Sequence, residues 1–253
     1  MDEVFVANDS IVRKIWGKAD TVLFIFAGAA AEFALNKAVD WLYFTGRLPA
    51  DPLGRLFSTV AYARQIIFAK KGDALKSIDQ ITAIHKGVEK KRGTNIPDWA
   101  YRDVLFLLID YSIRSFELLE RALTDKEKAE VFDVFRLVGE RMQLKELPPD
   151  FNVWVQAREG HLASDLVRSE FTEDLYRQYK KRLGPVRYRL VLQVQFELSP
   201  LRVNKLLGLK KKYWFDPLLK LYKFSRLCKA DRLLKGALLP NDYKAQIMAL
   251  DAI

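Results

Sequence analysis

The sequence predicts an all-α protein, and three observations carry that prediction. Runs of alternating Val, Ile and Thr closed by Asn-Gly or Asp-Gly turns, the usual strand and hairpin signal, are missing. Helix-start pairs recur: Asp51-Pro52, Ser199-Pro200 and Asp216-Pro217 each place a good N-cap before a first-turn proline. Apolar residues return at helical spacing, and from Val104 to Leu119 they surround the axis almost completely, which predicts a central buried helix. The expected architecture is a single compact domain of about ten helices over residues 1–253. The strongest break, Leu147-Pro148-Pro149, lacks the Gly/Ser linker that would separate two domains.

Taken in order, Asp9 and Ser10 cap a short first helix that Gly17 ends, and Asp20 caps a long second helix. The second helix contains Gly28-Ala29-Ala30-Ala31, small residues that let another helix or a flat ligand come close to its backbone. Tyr43 to Pro49 reads as a connector. Asp51-Pro52 opens a helix to about Lys70, Gly72 breaks it, and Asp73 caps the next, which carries Ile78, Ile81, His85 and Val88 on one face. That helix fades at Lys90–Gly93. Pro97-Asp98 opens the apolar helix, and Thr124 with Glu127 forms a capping-box pattern ahead of Val131–Leu144. Asp150 caps a helix from about Phe151, and Thr172 caps one that ends at Gly184. Pro185 begins another, and Pro240-Asn241 introduces the last.

The chain is 253 residues long and half hydrophobic, enough to bury a substantial core. With two histidines and one cysteine it cannot build a four-ligand Cys/His zinc site, a four-thiolate iron–sulfur cluster or an internal disulfide. A reducing cytosol is therefore the expected compartment. The start, MDEVFVAND, lacks a basic n-region before an apolar run, so no signal peptide is expected. Thr21–Leu35 is short of the roughly 20 apolar residues of a membrane span and contains Glu32, so it reads as a core helix.

The most site-like grouping lies between Asp51 and Glu89. Arg55 and Thr59 are i,i+4 partners on one helix, and His85 sits on an otherwise apolar face of the next. Each residue also has an ordinary structural reading: an ion pair at a helix start for Arg55, a bond to the preceding turn for Thr59, a satisfied core histidine for His85. Imidazole is also the commonest metal ligand, and a single axial site on heme needs only one. Glu32 reads as a structural carboxylate in an apolar helix, His161 as a surface or cap residue, and Cys228 as structural.

The order DPLGR-LFST, then TAIHKGV on the following helix, resembles the catalytic domain shared by mpaB oxygenases and rubber oxygenases (latex-clearing protein). That family has an Arg-x-x-x-Thr element followed by a His on an all-helical scaffold. The similarity extends through Tyr101–Phe116, Leu118–Thr124, Leu147-Pro148 and Leu206–Leu209, over about residues 10–210, which leaves 211–253 as a basic helical C-terminal extension. The resemblance implies a heme b-binding oxygenase that oxidises a hydrophobic, isoprenoid- or lipid-like substrate with dioxygen. It implies His85 as proximal iron ligand, with Arg55 and Thr59 near the heme, facing bound oxygen or a propionate. Two positions depart from the family. Ser58 stands where rubber oxygenases carry a lysine that can cap the iron, so no lysine-ligated state is expected. Lys90 stands where members often have glycine.

Charge separates the C-terminal third from the rest: of the net +10, residues 1–170 hold −1 and residues 171–253 hold +11. Lys210-Lys211-Lys212 beside Tyr213-Trp214-Phe215 suits peripheral contact with an anionic membrane through Lys210, Lys211, Lys212 and Trp214. The following basic residues, spaced by three from Lys220 to Lys235, wind round a helix instead of lining one face, which equally fits a solvated basic surface. No helix-turn-helix, RRM or zinc pattern accompanies them, so no specific nucleic acid is expected. The alternative to an oxygenase is thus a non-enzymatic helical protein that binds lipid or a membrane surface.

Overall fold

The computed structural model describes residues 3–46 and 51–227; for Pro52, Leu53 and residues 55–58 it describes the backbone alone. Among the described residues there are eleven helices and no sheet: α1 (Ile11–Trp16), α2 (Ala19–Phe33), α3 (Asp40–Phe44), α4 (Pro52–Phe68), α5 (Lys71–Arg92), α6 (Asp98–Leu119), α7 (Asp125–Arg141), α8 (Phe151–Ser164), α9 (Glu170–Leu198), α10 (Leu201–Leu207) and α11 (Phe215–Leu227). The helix expected after Pro240 lies outside the described residues.

The apolar helix is central, as its sequence predicts. α6 packs along α2, with α7 and α9 on its other sides, and α1 wedges between α2, α4 and α7. Trp16, Ile25, Ile109, Tyr111 and Phe132 are fully buried in this core. Trp16 lies at its middle, edge-on to Phe26, and its indole N–H donates to Ser112 Oγ at 3.1 Å. Satisfying that donor allows a large amphipathic ring to be fully buried.

The small residues of α2 admit a neighbouring helix. A Cβ on Gly28 would lie 2.3 Å from Tyr111 Cδ1 and 2.4 Å from Cε1, so the tyrosine ring occupies the space a side chain would need. That close approach brings the Tyr111 hydroxyl to Glu32, four residues further along α2.

Several boundaries follow the predicted chemistry. Ser10 caps α1, Asp51 caps α4, Asp150 caps α8, and Thr124 and Glu127 form the full reciprocal box at α7. Three differ, each through a tertiary contact. Asp20 lies in the first turn of α2 and does not cap it; its carboxylate accepts from Tyr222 Oη and pairs with Arg226, both on α11. The α4–α5 break falls at Ala69-Lys70, ahead of Gly72, where Val4 bridges Lys70 and Lys71 N–H donates to Glu3 O. Ser169, not Thr172, is the N-cap of α9; Thr172 sits three residues on, where its hydroxyl accepts from Ser169 N–H and donates to the Ala34 carbonyl. The two helices expected around Gly184-Pro185 are both present within α9, joined where Gly184 leaves helical geometry at φ 72°, ψ 171° and Pro185 opens the second.

α11 is anchored through its basic residues. Lys223 Nζ donates to Leu118 O, and Arg226 reaches both Leu119 O and the Glu120 carboxylate. Cations placed on the last carbonyls of α6 oppose the negative end of its dipole.

Gly28→Ala is expected to lower stability by about 1–3 kcal/mol through overpacking against Tyr111. Urea unfolding of the variant measures this; a neutral or stabilising result contradicts the close approach.

Candidate functional site

Two clusters carry chemistry, and α6 separates them. Tyr101 and Asp103 are two residues apart on this helix, so they project from nearly opposite sides. Tyr101 meets His85, with ring centroids 5.2 Å apart and an edge-on arrangement. Asp103 meets His161, with Oδ1 2.7 Å from Nδ1.

The first cluster holds the residues singled out in the sequence. α4 and α5 pack against each other. Thr59 and His85 are both half-buried, and Arg55 lies in the stretch of α4 described by its backbone alone. α5 enters the core at Ala74 and Ile78, and no later residue of it is buried. Ala83 and Gly87, two residues either side of His85, project from the opposite, exposed side of α5, whereas Ile81 and Val88, one turn away on the His85 side, are half-buried like the imidazole itself. Below the helix, Glu89 accepts from Ile96 N and Tyr101 Oη, which fixes the Tyr101 ring against the imidazole. Nearby, Arg92 lies 4.0 Å over the Trp41 ring and pairs with Asp40 at 2.6 Å, tying the end of α5 to α3. His85 is thus a half-buried imidazole between apolar neighbours of α5, with the Tyr101 ring edge-on to it.

The second cluster was not legible as a site. Glu32 from α2, Asp103, Asp110 and Tyr111 from α6, and Arg158 and His161 from α8 are all buried together. Arg158 is the hub. Its Nη1 and Nη2 form a fork on the two Glu32 oxygens, the second at 2.6 Å. Its Nε and Nη2 also donate to Asp110 Oδ2 at 3.1 and 2.9 Å. Tyr111 Oη donates to Glu32 Oε2 at 3.0 Å, and Arg114 Nε to Asp110 Oδ1 at 2.7 Å. Burial alone would raise the Glu32 carboxyl; the Arg158 charge and fork and the His161 contact outweigh it and hold the group at about 2.

His161 is buried, where a surface or cap position was expected. Its Nε2 stands 2.9 Å from Glu32 Oε1. Glu32 is ionised and only accepts, so Nε2 carries a hydrogen. Nδ1 then faces Asp103 Oδ1 at 2.7 Å and Asp165 Oδ2 at 3.4 Å, although neither lies in line for a hydrogen bond from the ring. Burial would lower the imidazole; its contacts with Asp103 and Glu32 raise it to about 9. Asn36 Nδ2 donates to the other Asp103 oxygen at 2.9 Å. The end of α2 and the end of α8 are clamped by Lys37 N–H to Asp165 O and Val167 N–H to Leu35 O, which sets Asn36 and Asp165 beside this group. A cavity of about 280 Å³ opens onto it, lined by Arg102, Asp103, Phe106, Glu146, Ala157, His161 and Asp165.

The signals for this cluster are present in the sequence but weak. Asp103 and Asp110 are spaced by seven in an apolar helix, and Arg158, His161 and Asp165 follow at three and four, so each set shares a helix face. Nothing in either pattern names the partner helix.

With the geometry established, comparison with known proteins adds the class. The family model for the ER-bound oxygenase mpaB/B′ and rubber oxygenase catalytic domain matches residues 13–232. The chain belongs to this family of oxygenase catalytic domains, and the match runs through α11. No curated protein and no solved structure matches it. Among the described residues, no helix is long and apolar enough to cross a membrane.

Arg158→Met is expected to cost about 3–5 kcal/mol, because it leaves the buried Glu32 and Asp110 carboxylates without their shared cation. Chemical denaturation tests this; a loss below about 1 kcal/mol, the range of exposed ion pairs, contradicts the hub role.

Proposed function

We propose that the protein is a heme b-dependent oxygenase that oxidises a hydrophobic, isoprenoid- or lipid-like substrate with dioxygen. His85 is the proximal iron ligand. The observation that carries this reading is the half-buried His85 imidazole, flanked by Ile81 and Val88 on one side of α5, in a chain of the mpaB/rubber oxygenase family. Heme, when bound, supplies the redox chemistry with dioxygen.

The protein's part is to bind, orient and exclude water. Tyr101, held by Glu89, fixes the plane of the His85 ring from the side. Ile81 and Val88, one turn either side of His85, would supply apolar surface for a porphyrin face. Arg55, permanently cationic, would donate to a propionate or another oxygen anion, and Thr59, one turn on, would offer a hydroxyl. Ser58 stands where a lysine could otherwise ligate the iron, so no lysine-ligated state is expected.

Purified protein reconstituted with hemin is expected to take up one heme per chain with a Soret band, and His85→Ala to lose the band or shift it to a weakly bound form. An unchanged spectrum and affinity in His85→Ala removes His85 as ligand. A wild-type chain that takes up no heme removes the reading altogether.

A second property has its own support. Tyr213 is 91% exposed beside half-exposed Trp214, and the Gln193 side chain pins their loop by accepting from Lys212 N and donating to Lys210 O. Lys211 is engaged by Asp216 at 2.9 Å, which leaves Lys210 and Lys212 as the exposed charges flanking it. This edge would rest on an anionic membrane, near a source of hydrophobic substrate. Replacing Lys210 and Lys212 with Gln is expected to weaken binding to phosphatidylserine vesicles roughly tenfold and to flatten its salt dependence. Cosedimentation equal to wild type argues against this surface.

A further inference from the structure

We propose that His161 Nδ1, Asp103 Oδ1 and Asp165 Oδ2 form a binding site for one divalent transition-metal ion, separate from the His85 face and on the opposite side of α6. Among the described residues these are the three groups whose ligand atoms lie within 4.8 Å of one another. The measured separations are 2.7 Å from Nδ1 to Asp103 and 3.4 Å from Nδ1 to Asp165. Ligands about 2.1 Å from a metal and 90–110° apart are separated by about 3.0–3.4 Å, and both Nδ1 separations lie within a few tenths of an ångström of that range.

Three further features point to a cation. The first is the state of Nδ1. Glu32 fixes the ring hydrogen on Nε2, so in the neutral ring Nδ1 turns its lone pair toward two carboxylate oxygens, and the ring is 95% buried. No hydrogen bond in the structure satisfies that atom. Two acceptors and a lone pair facing each other at these distances need a positive centre between them, either a ring proton or a metal ion.

The second feature is the support behind the ligands. A metal-bound imidazole usually donates its other N–H to a carboxylate, and metal-bound carboxylates are themselves hydrogen-bonded. Glu32 does the first for His161, and Asn36 does the second for Asp103. Glu32 is in turn held by Arg158 and Tyr111, so the imidazole is oriented by a rigid buried scaffold.

The third feature is charge. Glu32, Asp103, Asp110 and Asp165 bring four negative charges, and Arg158 and Arg114 bring two positive ones. A bound metal would take the place of the ring proton on Nδ1, where the facing carboxylates favour a cation. The adjoining cavity gives access from solvent, and the Asp165 side chain, about a quarter exposed, lies at its edge. One imidazole and two carboxylates suit Mn²⁺, Fe²⁺ or Zn²⁺, with the remaining coordination positions taken by water from the cavity.

The test uses the full chain stripped with EDTA and titrated separately with Mn²⁺ and Zn²⁺ by calorimetry, with Mn²⁺ binding also followed by EPR. One ion per chain is expected. Asp165→Asn, at the exposed edge, is expected to weaken binding at least tenfold while the metal-free melting temperature stays near wild type. His161→Gln should remove nitrogen coupling from the Mn²⁺ signal. His85→Ala should leave metal affinity unchanged, which separates this site from the heme proposal. Failure to bind either ion at micromolar concentration overturns the inference. So does binding that survives Asp165→Asn and Asp103→Asn undiminished, or that disappears in His85→Ala.

Discussion

The structure depends on one buried cation. Arg158 joins α8 to α2 through Glu32 and to α6 through Asp110, so a single guanidinium ties together three helices at the centre of the molecule. Isolated carboxylates at this depth would be protonated or would draw water into the core. The planar fork of arginine satisfies both carboxylates at once, and no lysine could do so. Everything nearby follows from that fixed Glu32: the direction of the Tyr111 hydroxyl, the glycine that admits its ring, and the tautomer of His161. Buried ion pairs give weak net stability but strict geometry. Here the geometry is the more consequential product, since it aims an imidazole nitrogen at two further carboxylates.

α6 is the partition as well as the centre. Its Tyr101 side supports the half-buried His85, and its Asp103 side supports the buried His161. Among the described residues these are the chain's two histidines, and the fold places them in contrasting surroundings. One is half-buried between apolar neighbours of α5. The other is enclosed by acids and an arginine. The two surroundings differ in polarity, and each carries its own proposal. A chain in the oxygenase family therefore contains, beside the face proposed for the cofactor, a second polar centre that the family's Arg-x-x-x-Thr and His pattern does not describe.

Much of the fold was legible in the sequence. The all-α class, the central helix from Asp98, the capping box at Thr124 and the caps at Ser10, Asp51 and Asp150 follow from local periodicity and turn chemistry. The family, too, was visible in DPLGR-LFST and TAIHKGV. The expectations that moved were those where a side chain had a distant use. Asp20 pairs with Arg226 instead of capping, and Thr172 joins the start of α9 to the Ala34 carbonyl from its third position. His161, with charged and small neighbours in sequence, looked like a surface residue, yet it is buried because it shares with Trp154 and Arg158 the inward side of α8, while Glu159 and Gly160 are exposed.

By itself the sequence determined where helices start and stop and which faces are apolar, because caps, prolines and the 3.6-residue period act within a few residues of one another. It also excluded multi-cysteine chemistry by count. Only the tertiary structure decided which buried charges meet. Asp103 and Asp110, spaced by seven, and Arg158, His161 and Asp165, spaced by three and four, each mark a polar stripe. A stripe states a direction around one helix axis and says nothing of the helix it will face. Glu32 lies more than a hundred residues from both Arg158 and His161, and their contact exists because α2, α6 and α8 converge, an outcome of packing the whole core and of no local segment.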